Sequence, residues 1–317
     1  MKISFPDILE PTMIITCDSC KTRYKLADNV TDKDAFKVRC QKCNHSFMAY
    51  KSAPEEQSLL LQEEITPDHN KIIAISNQKG GVAKTSTCLN LGMALAQMNK
   101  RVLLVDFDVQ ANLTILLGFR KTESFYEILE KNTKDISSAI QKTRYPNLEL
   151  LPSNSKMALL KKKYLNVDRY EYLLRDRLDL IKKQYDHILI DTPPSIEFFT
   201  LNALIASNFV VIPTTCEYLS MHGIGQINDI LTIIKKGINQ DINHKVLITM
   251  HNADITSEKV MLNKIQEKYK DNIFRTAIEI DSKMQESHIV NMPVILYAKE
   301  SKSAQQYIKL AQEMSEE

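Results

Sequence analysis

The sequence lacks a net excess of either charge, a membrane-length apolar run and an apolar leader. Lysine and arginine total 41 residues against 39 aspartates and glutamates, so the overall charge does not indicate a nucleic acid or a membrane as partner. No segment approaches the roughly eighteen consecutive apolar residues of a membrane-spanning helix. The opening MKISFPDILEP has no apolar region typical of a signal peptide, and we therefore expect a cytoplasmic protein.

Cysteine is also scarce, and four of the six cysteines lie close together near the start of the chain. Without an export signal, cysteines favour free thiols or metal ligands over disulfides. Two C-x2-C pairs separated by nineteen residues have the spacing of a structural zinc site, with iron as the alternative metal. The predicted ligands are Cys17, Cys20, Cys40 and Cys43.

The segment around these cysteines is too short to fold by apolar burial alone, since about forty residues bury too little surface. Zinc binding supplies on the order of 10 kcal/mol toward folding, so the metal would act as the core. TCDSCKTRYKLADN and FKVRCQKCNHSF resemble the short zinc ribbon found at the front of various bacterial proteins. Ribbons usually place glycine after the second cysteine of each pair, where this chain has Lys21 and Asn44. We predict a zinc ribbon over residues 11–50.

The rest of the chain has the pattern of a second, larger domain. The 317 residues and the 44% hydrophobic content suggest about two domains, and the polar, acidic stretch 51–70 is typical of a linker. Beyond it, short β-branched runs alternate with helical patterns, which indicates a parallel sheet covered by helices. The runs are KIIAIS at 71, RVLLV at 101, HILI at 187, FVVIP at 209 and KVLITM at 245. The predicted helices are 85–98, 168–184, 196–206, 218–236 and 301–314.

The first of these strands leads into the sequence KGGVAKTS, which a helix follows. A strand, a glycine-containing loop and a helix together are the context of a phosphate-binding loop. Glycines let backbone N–H groups turn toward phosphate oxygens, and the helix N-terminus adds positive potential. A lysine of the loop supplies a charge, and the threonine after it binds Mg²⁺. The predicted nucleotide-binding residues are Lys79, Gly80, Gly81, Val82, Ala83, Lys84, Thr85 and Ser86.

This loop departs from the usual pattern, because Gln78 stands where a glycine is expected six positions before Lys84. KGGxxK[ST] with an additional lysine at its start resembles the ParA/MinD family. The resemblance implies that Lys79 reaches the nucleotide of a partner subunit in an ATP-sandwich homodimer. The family usually has glycine at the position of Ala83, and a positive φ at this alanine would cost roughly 1–2 kcal/mol.

Aspartates stand where two predicted strands end, in RVLLVDFDVQAN and HILIDTPPS. Ligands of open α/β sheets bind at the C-terminal ends of strands, and a buried carboxylate is costly unless it meets a cation. By resemblance, Asp191 holds Mg²⁺ through water together with Thr85. Asp106 would support the metal site, and Asp108 would orient or activate the attacking water. The predicted catalytic residues are Lys79, Lys84 and Asp108.

The similarity to ParA and Soj proteins extends from about residue 71 to residue 314 and includes IPTTCEYLSMHGI and ILYAKESKSAQQYIKLAQEM. It implies an α/β P-loop NTPase fold over 71–317, with a mostly parallel sheet flanked by helices and preceded by the small zinc ribbon. The implied activity is slow, partner-stimulated ATP hydrolysis that resets an ATP-bound dimer in chromosome or plasmid partitioning or in intracellular positioning. ATP, Mg²⁺ and Zn²⁺ are the implied cofactors.

Two other functions remain open from the residues. One is a degenerate scaffold that binds protein partners without appreciable hydrolysis, and the other is a MinD-like positioning ATPase. The apolar residues of 301–314 have the spacing of a helix docked on a core. A membrane partner is disfavoured, because this segment has a single late lysine and an acidic end instead of a basic amphipathic tail. An electron carrier of the NifH type is disfavoured, because no suitable cysteine pair lies in the ATPase domain. We expect Cys88 and Cys216 to be small core residues, and the histidines show no motif.

The resemblance further implies a ParB-like or other centromere-binding protein as partner, and nonspecific DNA. The family contacts DNA with basic residues of two C-terminal loops, where this chain has Asp254 and, in the second loop, only Lys283. From residue 235 onward, the sequence has twelve basic and twelve acidic residues, and this balance of charge disfavours contacts with DNA phosphates. Basic residues crowd the ribbon instead, between Tyr24, Phe36 and Phe47. We hypothesise that the ribbon supplies the DNA or partner contact, and association with the nucleoid would follow.

Overall fold

The structure is a computed structural model that describes residues 12–20, 22–27, 35–50, 71–238 and 240–316. The chain divides between residues 68 and 69 into two compact units. The predicted linker at 51–70 lies outside the described residues, as does Lys21. Within the described ranges, no helix combines the length and the apolar character required to cross a bilayer.

Two antiparallel hairpins form the N-terminal unit. Their strands are β1 (Thr12–Thr16), β2 (Arg23–Ala27), β3 (Ala35–Arg39) and β4 (Ser46–Tyr50). Each C-x2-C pair lies in the connection of one hairpin, so the two turns carry the four cysteines. Ile15, Phe47 and Ala49 are buried against Cys17 and Cys40 in a small apolar cluster. Among the residues that the structure describes in this unit, so few buried apolar side chains cannot hold a domain, and we expect its stability to depend on the cysteine cluster.

A seven-stranded sheet forms the centre of the C-terminal unit. Its strands are β5 (Lys71–Ile75), β6 (Val102–Asp106), β7 (Gln141–Lys142), β8 (Leu148–Leu151), β9 (His187–Asp191), β10 (Phe209–Thr214) and β11 (Asn243–Ile248). They lie in the order β11-β10-β5-β9-β6-β8-β7, and only the β7–β8 pair is antiparallel. This mostly parallel sheet confirms the predicted fold class. β7 and β8 are additional to the predicted strands, since such short segments show too little periodicity to be recognised.

Apolar side chains cover both faces of this sheet. Along β5, Ile72 and Ala74 belong to the apolar cluster on one face, and Ile73 and Ile75 belong to the cluster on the other. Successive side chains of a strand point to opposite faces, so a strand buried on both sides has a continuous apolar sequence. Helices supply the partners on each face, as the α/β prediction requires.

The α-helices of the described C-terminal unit connect the strands and cover the sheet. They are α1 (Lys84–Gln97), α2 (Asn112–Leu116), α3 (Phe125–Glu130), α4 (Ala158–Tyr164), α5 (Leu173–Leu178), α6 (Phe198–Ala206), α7 (Ser220–Ile238), α8 (Thr256–Tyr269), α9 (Ser282–Ile289), α10 (Val294–Tyr297) and α11 (Lys302–Ser315). In α11, the side chains with the predicted docking spacing are all buried: Tyr307, Leu310, Ala311 and Met314.

One predicted helix, 168–184, is wrong as a continuous element. The chain forms a 3₁₀ turn at Tyr170–Tyr172, then α5, then another 3₁₀ turn at Lys182–Gln184. Arg169 adopts the left-handed conformation with φ of 59°, and an α-helix of L-residues cannot pass through such a residue without strain. The predicted helices at 85–98, 196–206 and 218–236 agree with α1, α6 and α7 to within two residues at each end.

Candidate nucleotide and metal sites

The loop between β5 and α1 leaves the sheet at its C-terminal edge and returns as the first turn of α1. Gly81 has φ of 72°, a conformation that glycine adopts without strain. A Cβ atom added to Gly80 or Gly81 would meet no other atom within 4 Å, so the loop faces open space there. Val82 is buried, and its carbonyl accepts a hydrogen bond of 3.2 Å from the Thr249 hydroxyl. The loop is therefore anchored from below and open above, as a phosphate cradle requires.

Lys84 points into this loop. Its Nζ donates a hydrogen bond of 3.0 Å to the carbonyl of Lys79, and the residue is only 8% exposed. Burial lowers the pKa of Lys84, whereas the nearby carboxylates of Asp191 and Asp108 oppose that shift. An ammonium has three N–H groups, so donors remain for an anion inside the loop. The structure thus places Lys84 at the loop, and its phosphate-binding role stays a prediction.

Thr85 and Asp191 meet directly below the loop. The Thr85 hydroxyl donates a hydrogen bond of 2.7 Å to Oδ2 of Asp191, while Oδ1 of this carboxylate is buried without a hydrogen-bond partner among the described residues. Burial raises the pKa of Asp191 well above its usual value, and the neighbouring Asp106 raises it further. A bound cation would restore the charged form. A hydroxyl beside an unpartnered carboxylate oxygen fits Mg²⁺, which prefers oxygen ligands and water.

Asp106 and Asp108 lie at the end of the neighbouring strand, β6, where Asp106 is in register with Asp191. Oδ2 of Asp106 accepts hydrogen bonds from both the backbone N–H and the hydroxyl of Thr114, at 2.8 and 2.7 Å. Its Oδ1 accepts from the backbone N–H of Asp108 at 3.2 Å. Burial raises the pKa of Asp106 to about 6. Asp106 thus fixes the loop that carries Asp108, which is a positioning contact.

Lys79, the additional lysine, does not point into its own loop. Its Nζ lies 2.6 Å from Oε2 of Glu217 and donates a hydrogen bond of 3.2 Å to the Thr215 hydroxyl. The backbone N–H of Lys79 donates to Oδ1 of buried Asn77, whose amide in turn donates to the carbonyl of Pro213. The side chain of Glu217 is 64% exposed, so the ion pair lies at the surface. Sequence inspection did not single out Glu217 as a partner of Lys79.

Ala83 has φ of 61° and ψ of 32°, the left-handed conformation. For a residue with a Cβ atom, this positive-φ conformation costs about 1–2 kcal/mol relative to a negative φ. Its carbonyl accepts the hydrogen bond of the Thr87 N–H, which begins α1. The conformation is therefore required by the turn from loop to helix, and the strain is built into the loop.

The four cysteines of the N-terminal unit converge as predicted. Their sulfur atoms lie within 4.8 Å of one another, with Cys17–Cys43 at 3.6 Å and Cys20–Cys40 at 3.4 Å. Zn–S bonds of about 2.3 Å in a tetrahedron place sulfurs about 3.8 Å apart, which is close to these distances. A hydrogen bond from the Tyr24 hydroxyl lowers the pKa of Cys40 to about 6 and favours the thiolate that binds metal.

The knuckle that begins at Cys40 also shows why Asn44 is tolerated after the second cysteine. Asn44 has φ of 58°, and asparagine adopts the left-handed region more readily than most residues. His45 is exposed and is not part of the sulfur cluster.

Comparison with known proteins relates both units to established families. A family model described as an AAA domain matches residues 70–244, and a zinc-ribbon domain model matches residues 13–48. The sporulation initiation inhibitor protein Soj of Bacillus subtilis is 37% identical over 249 residues, which are 77% of this chain and 98% of Soj. The chain belongs to the ParA/Soj family.

Two further comparisons support this ParA/Soj assignment. The chromosome partitioning protein ParA of Myxococcus xanthus is 34% identical over 248 residues, covering 77% of this chain and 87% of that protein. A solved structure of cobyrinic acid a,c-diamide synthase from Mycobacterium smegmatis, with bound ADP and magnesium, has a TM-score of 0.67 and 30% identity and covers 77% of this chain and 93% of the other. The chain is thus a P-loop ATPase of the partitioning or positioning class with an N-terminal zinc ribbon.

A cavity of about 310 Å³ opens beside the loop of this ParA/Soj protein and was not predicted from the sequence. Ala83 and Ser86 of the loop line it, together with the apolar residues Met250, Ile280 and Met284. No sequence motif predicts this cavity, because the residues that line it come from segments far apart in the chain. A larger cavity of about 540 Å³ includes Arg101 and Tyr145 but no residue of the loop, so it is not part of this site.

At the two C-terminal positions where the resemblance to ParA predicted DNA-contacting basic residues, the structure offers little free positive charge. Asp254 is exposed, and its backbone N–H closes a turn on the Asn252 side chain at 2.9 Å. Lys283 is paired with Glu286 at 2.8 Å. One carboxylate therefore stands where a basic residue was expected, and another partly neutralises the remaining lysine.

Proposed function

We propose that the chain is a Mg-ATP-dependent switch that dimerises with ATP between two copies and resets by slow, partner-stimulated hydrolysis. The position of Lys79 carries this proposal. Its ammonium is held at the surface by Glu217, while Lys84 alone occupies the phosphate loop. Exposed ion pairs contribute only about 0–1 kcal/mol, so Lys79 can exchange Glu217 for a phosphate of a second copy.

Exposed apolar side chains beside this lysine support self-association. Tyr218 and Leu219 follow Glu217 directly and are 83% and 68% exposed. Aromatic and apolar residues of this kind are enriched at the centres of protein interfaces. A dimer formed through this surface would bury both residues and would bring Lys79 of each copy to the other's loop.

Within one copy, each predicted residue has a defined task. Backbone N–H groups of the loop and the Lys84 ammonium would bind phosphate oxygens, and the cavity beside Ala83 would take the nucleoside. Thr85 and Asp191 would hold Mg²⁺, which supplies neutralisation of phosphate charge. Asp108 would orient the attacking water, with Asp106 fixing its loop. The ADP and magnesium of the M. smegmatis structure support this use of the site.

The relatives support a proposal for the partners and the place of action. The chromosome partitioning protein ParA of M. xanthus supports a role in partitioning. We propose that the chain acts in the cytoplasm, with a ParB-like or other centromere-binding protein as the stimulating partner. Because Asp254 stands at one predicted DNA-contact position and Lys283 at the other is paired with Glu286, we assign DNA contact to the ribbon. A scaffold without hydrolysis is the competing function, and strained Ala83 is the observation that favours it.

Three substitutions test the proposal. Lys84→Ala should weaken ATP binding by roughly 10–100-fold, because hydrogen bonds to charged groups contribute about 1.5–3 kcal/mol. Asp108→Ala should bind ATP and remain a dimer, because hydrolysis no longer resets it. Lys79→Ala should bind ATP but stay monomeric. The measurements are ATP titration, light scattering after gel filtration, and phosphate release.

Lys162→Ala, which removes an exposed lysine of α4, is the control and should behave as the unsubstituted chain. An ATP-dependent dimer of Lys79→Ala would reject the exchange of Lys79 between copies. Absence of phosphate release from the unsubstituted chain, with DNA and zinc present, would favour the scaffold.

A further inference from the structure

A second group of metal-ligating side chains lies in the ATPase unit, outside the predicted site. A thiol, an imidazole and a carboxylate place their potential ligand atoms within 4.8 Å of one another: Cys216, His251 and Glu258. Cys216 is 5% exposed and His251 7% exposed, so both are removed from solvent. None of the three contributes to the phosphate loop, to the Mg²⁺ site or to the ribbon.

The fold brings these residues together at the C-terminal edge of the sheet. β10 and β11 are parallel neighbours, with Thr214 opposite Ile248. Cys216 follows the end of β10 by two residues, and His251 follows the end of β11 by three. Glu258 lies in the first turn of α8. Because adjacent parallel strands end at the same edge, the two segments after them are held side by side.

The contacts already resemble those of a metal shell. Nδ1 of His251 lies 3.2 Å from Oε2 of Glu258. Zn–N and Zn–O bonds of about 2.0–2.1 Å in a tetrahedron place such atoms about 3.3 Å apart. Glu258 is further fixed by the backbone N–H of Asn252, which donates to Oε2 at 2.8 Å. The Cys216 sulfur lies within 4.8 Å of both atoms and would be the third corner of the tetrahedron.

We propose that Cys216, His251 and Glu258 form a second zinc site. One sulfur, one nitrogen and one oxygen donor are the mixture that Zn²⁺ accepts, whereas Mg²⁺ and Ca²⁺ require oxygen ligands. Three protein ligands leave the fourth position for water. The ribbon, with its four thiolates, is a separate site in the other unit.

The site joins two segments that border the nucleotide region. Cys216 precedes Glu217, which holds Lys79, and His251 follows Met250, which lines the cavity beside the loop. The backbone of His251 also pairs with the wall of that cavity, through His251 N–H to Ile278 and Ile280 N–H to His251, both at 3.0 Å. Zinc would hold these segments in one arrangement.

The first experiment counts zinc in the full chain. After equilibration with Zn²⁺ and gel filtration, mass spectrometry should find two zinc ions per chain, and one in each of Cys216→Ala, His251→Gln and Glu258→Gln. Matched controls remove the same residue types elsewhere in the ATPase unit: Cys88→Ala and His244→Gln should retain two. One zinc in the unsubstituted chain, or two in all three variants, would overturn the proposal.

A second measurement guards against variants that fail to fold. Co²⁺ titrated into the unsubstituted full chain should bind in two phases, because the two sites differ in ligands. The ribbon phase should have the charge-transfer absorption of four thiolates and the other phase that of one, with bands of tetrahedral Co²⁺ in both. A single phase, or a second phase without thiolate absorption, rejects the site.

Discussion

At the scale of single residues, one strained position lies where the loop turns into α1. Ala83 holds a left-handed backbone that glycine would adopt freely, and the residue lines the cavity beside the loop. The residue therefore has two separable effects. Its backbone conformation affects stability, and its methyl group affects the space available to a nucleotide.

Ala83→Gly should stabilise the fold and tighten ATP binding. Relief of about 1–2 kcal/mol of strain is offset by about 0.4–1 kcal/mol of extra chain entropy in the unfolded state, which leaves roughly 0.5–1 kcal/mol. Removal of a crowding methyl group is worth about 1 kcal/mol, or roughly fivefold in Kd. Chemical denaturation and ATP titration measure the two effects.

Ala111 offers a matched control, because it also precedes a helix in the left-handed conformation, with φ of 53°. Ala111→Gly should gain similar stability without tighter ATP binding. If both variants bind ATP with unchanged affinity, the methyl group of Ala83 does not limit the nucleotide.

Site residues that belong to one short motif could be predicted from the sequence, whereas contacts between residues far apart in the chain could not. Lys84, Thr85 and the four ribbon cysteines stand in motifs whose chemistry depends on short spacings. The contact of Lys79 with Glu217 joins residues 138 positions apart. The sequence around Glu217 does not indicate that Lys79 is its partner. The residues that line the cavity and the approach of His251 to Glu258 also depend on distant segments, so the sequence does not predict them.

At the scale of elements, α7 supports the loop through a close approach. The backbone of Gly223 in α7 passes Asn77 so closely that an added Cβ would lie 2.8 Å from Oδ1. That oxygen accepts the hydrogen bond of the Lys79 N–H, at 3.0 Å. Position 223 therefore requires glycine for packing, and α7 sets the position of Lys79 through Asn77.

Gly223→Ala should destabilise the fold by about 1–3 kcal/mol, because overpacking a buried contact outweighs the gain in helix propensity. Displacement of Asn77 should also weaken ATP-dependent dimerisation. Urea denaturation and light scattering with ATP are the measurements.

Gly225→Ala is the control in the same helix, because an added Cβ meets no other atom within 4 Å there. It should stabilise the fold by about 0.5–1 kcal/mol. If both substitutions stabilise the fold, the Asn77 side chain can move aside without loss of stability, and α7 does not position Lys79.

The sequence predicted helices and strands well where the apolar pattern was strong, and less well where tertiary contacts determine the secondary structure. Apolar runs buried on both faces marked five strands of the sheet. The two strands at the β7 edge and the interruption of 168–184 depend on pairing and on one left-handed residue, Arg169. Neither leaves a periodic signal, so neither could be read from the pattern.

For the whole molecule, the distribution of positive charge decides where DNA could bind. On the C-terminal face Asp254 is exposed and Lys283 is paired with Glu286. On the ribbon, Lys37, Arg39 and Lys42 are exposed. Each basic contact with a phosphate releases counterions and adds about 0.9 to the salt dependence of binding.

We expect Lys37→Gln, Arg39→Gln and Lys42→Gln, combined in the full chain, to weaken DNA binding and to reduce the slope of log K against log salt by about 2–3. The measurement is a gel-shift or anisotropy series over salt concentration, with ATP and zinc present. ATP turnover without DNA should stay unchanged, because none of the three side chains belongs to the nucleotide site.

The control removes equal charge from α8 through Lys259→Gln, Lys264→Gln and Lys268→Gln, all exposed positions. If the α8 variant loses the larger share of the slope, DNA contact belongs to the C-terminal face, as the resemblance to ParA implies. If neither variant changes a measurable slope, other basic residues carry the contact. Only a loss confined to the ribbon variant supports transfer of this role to the N-terminal unit.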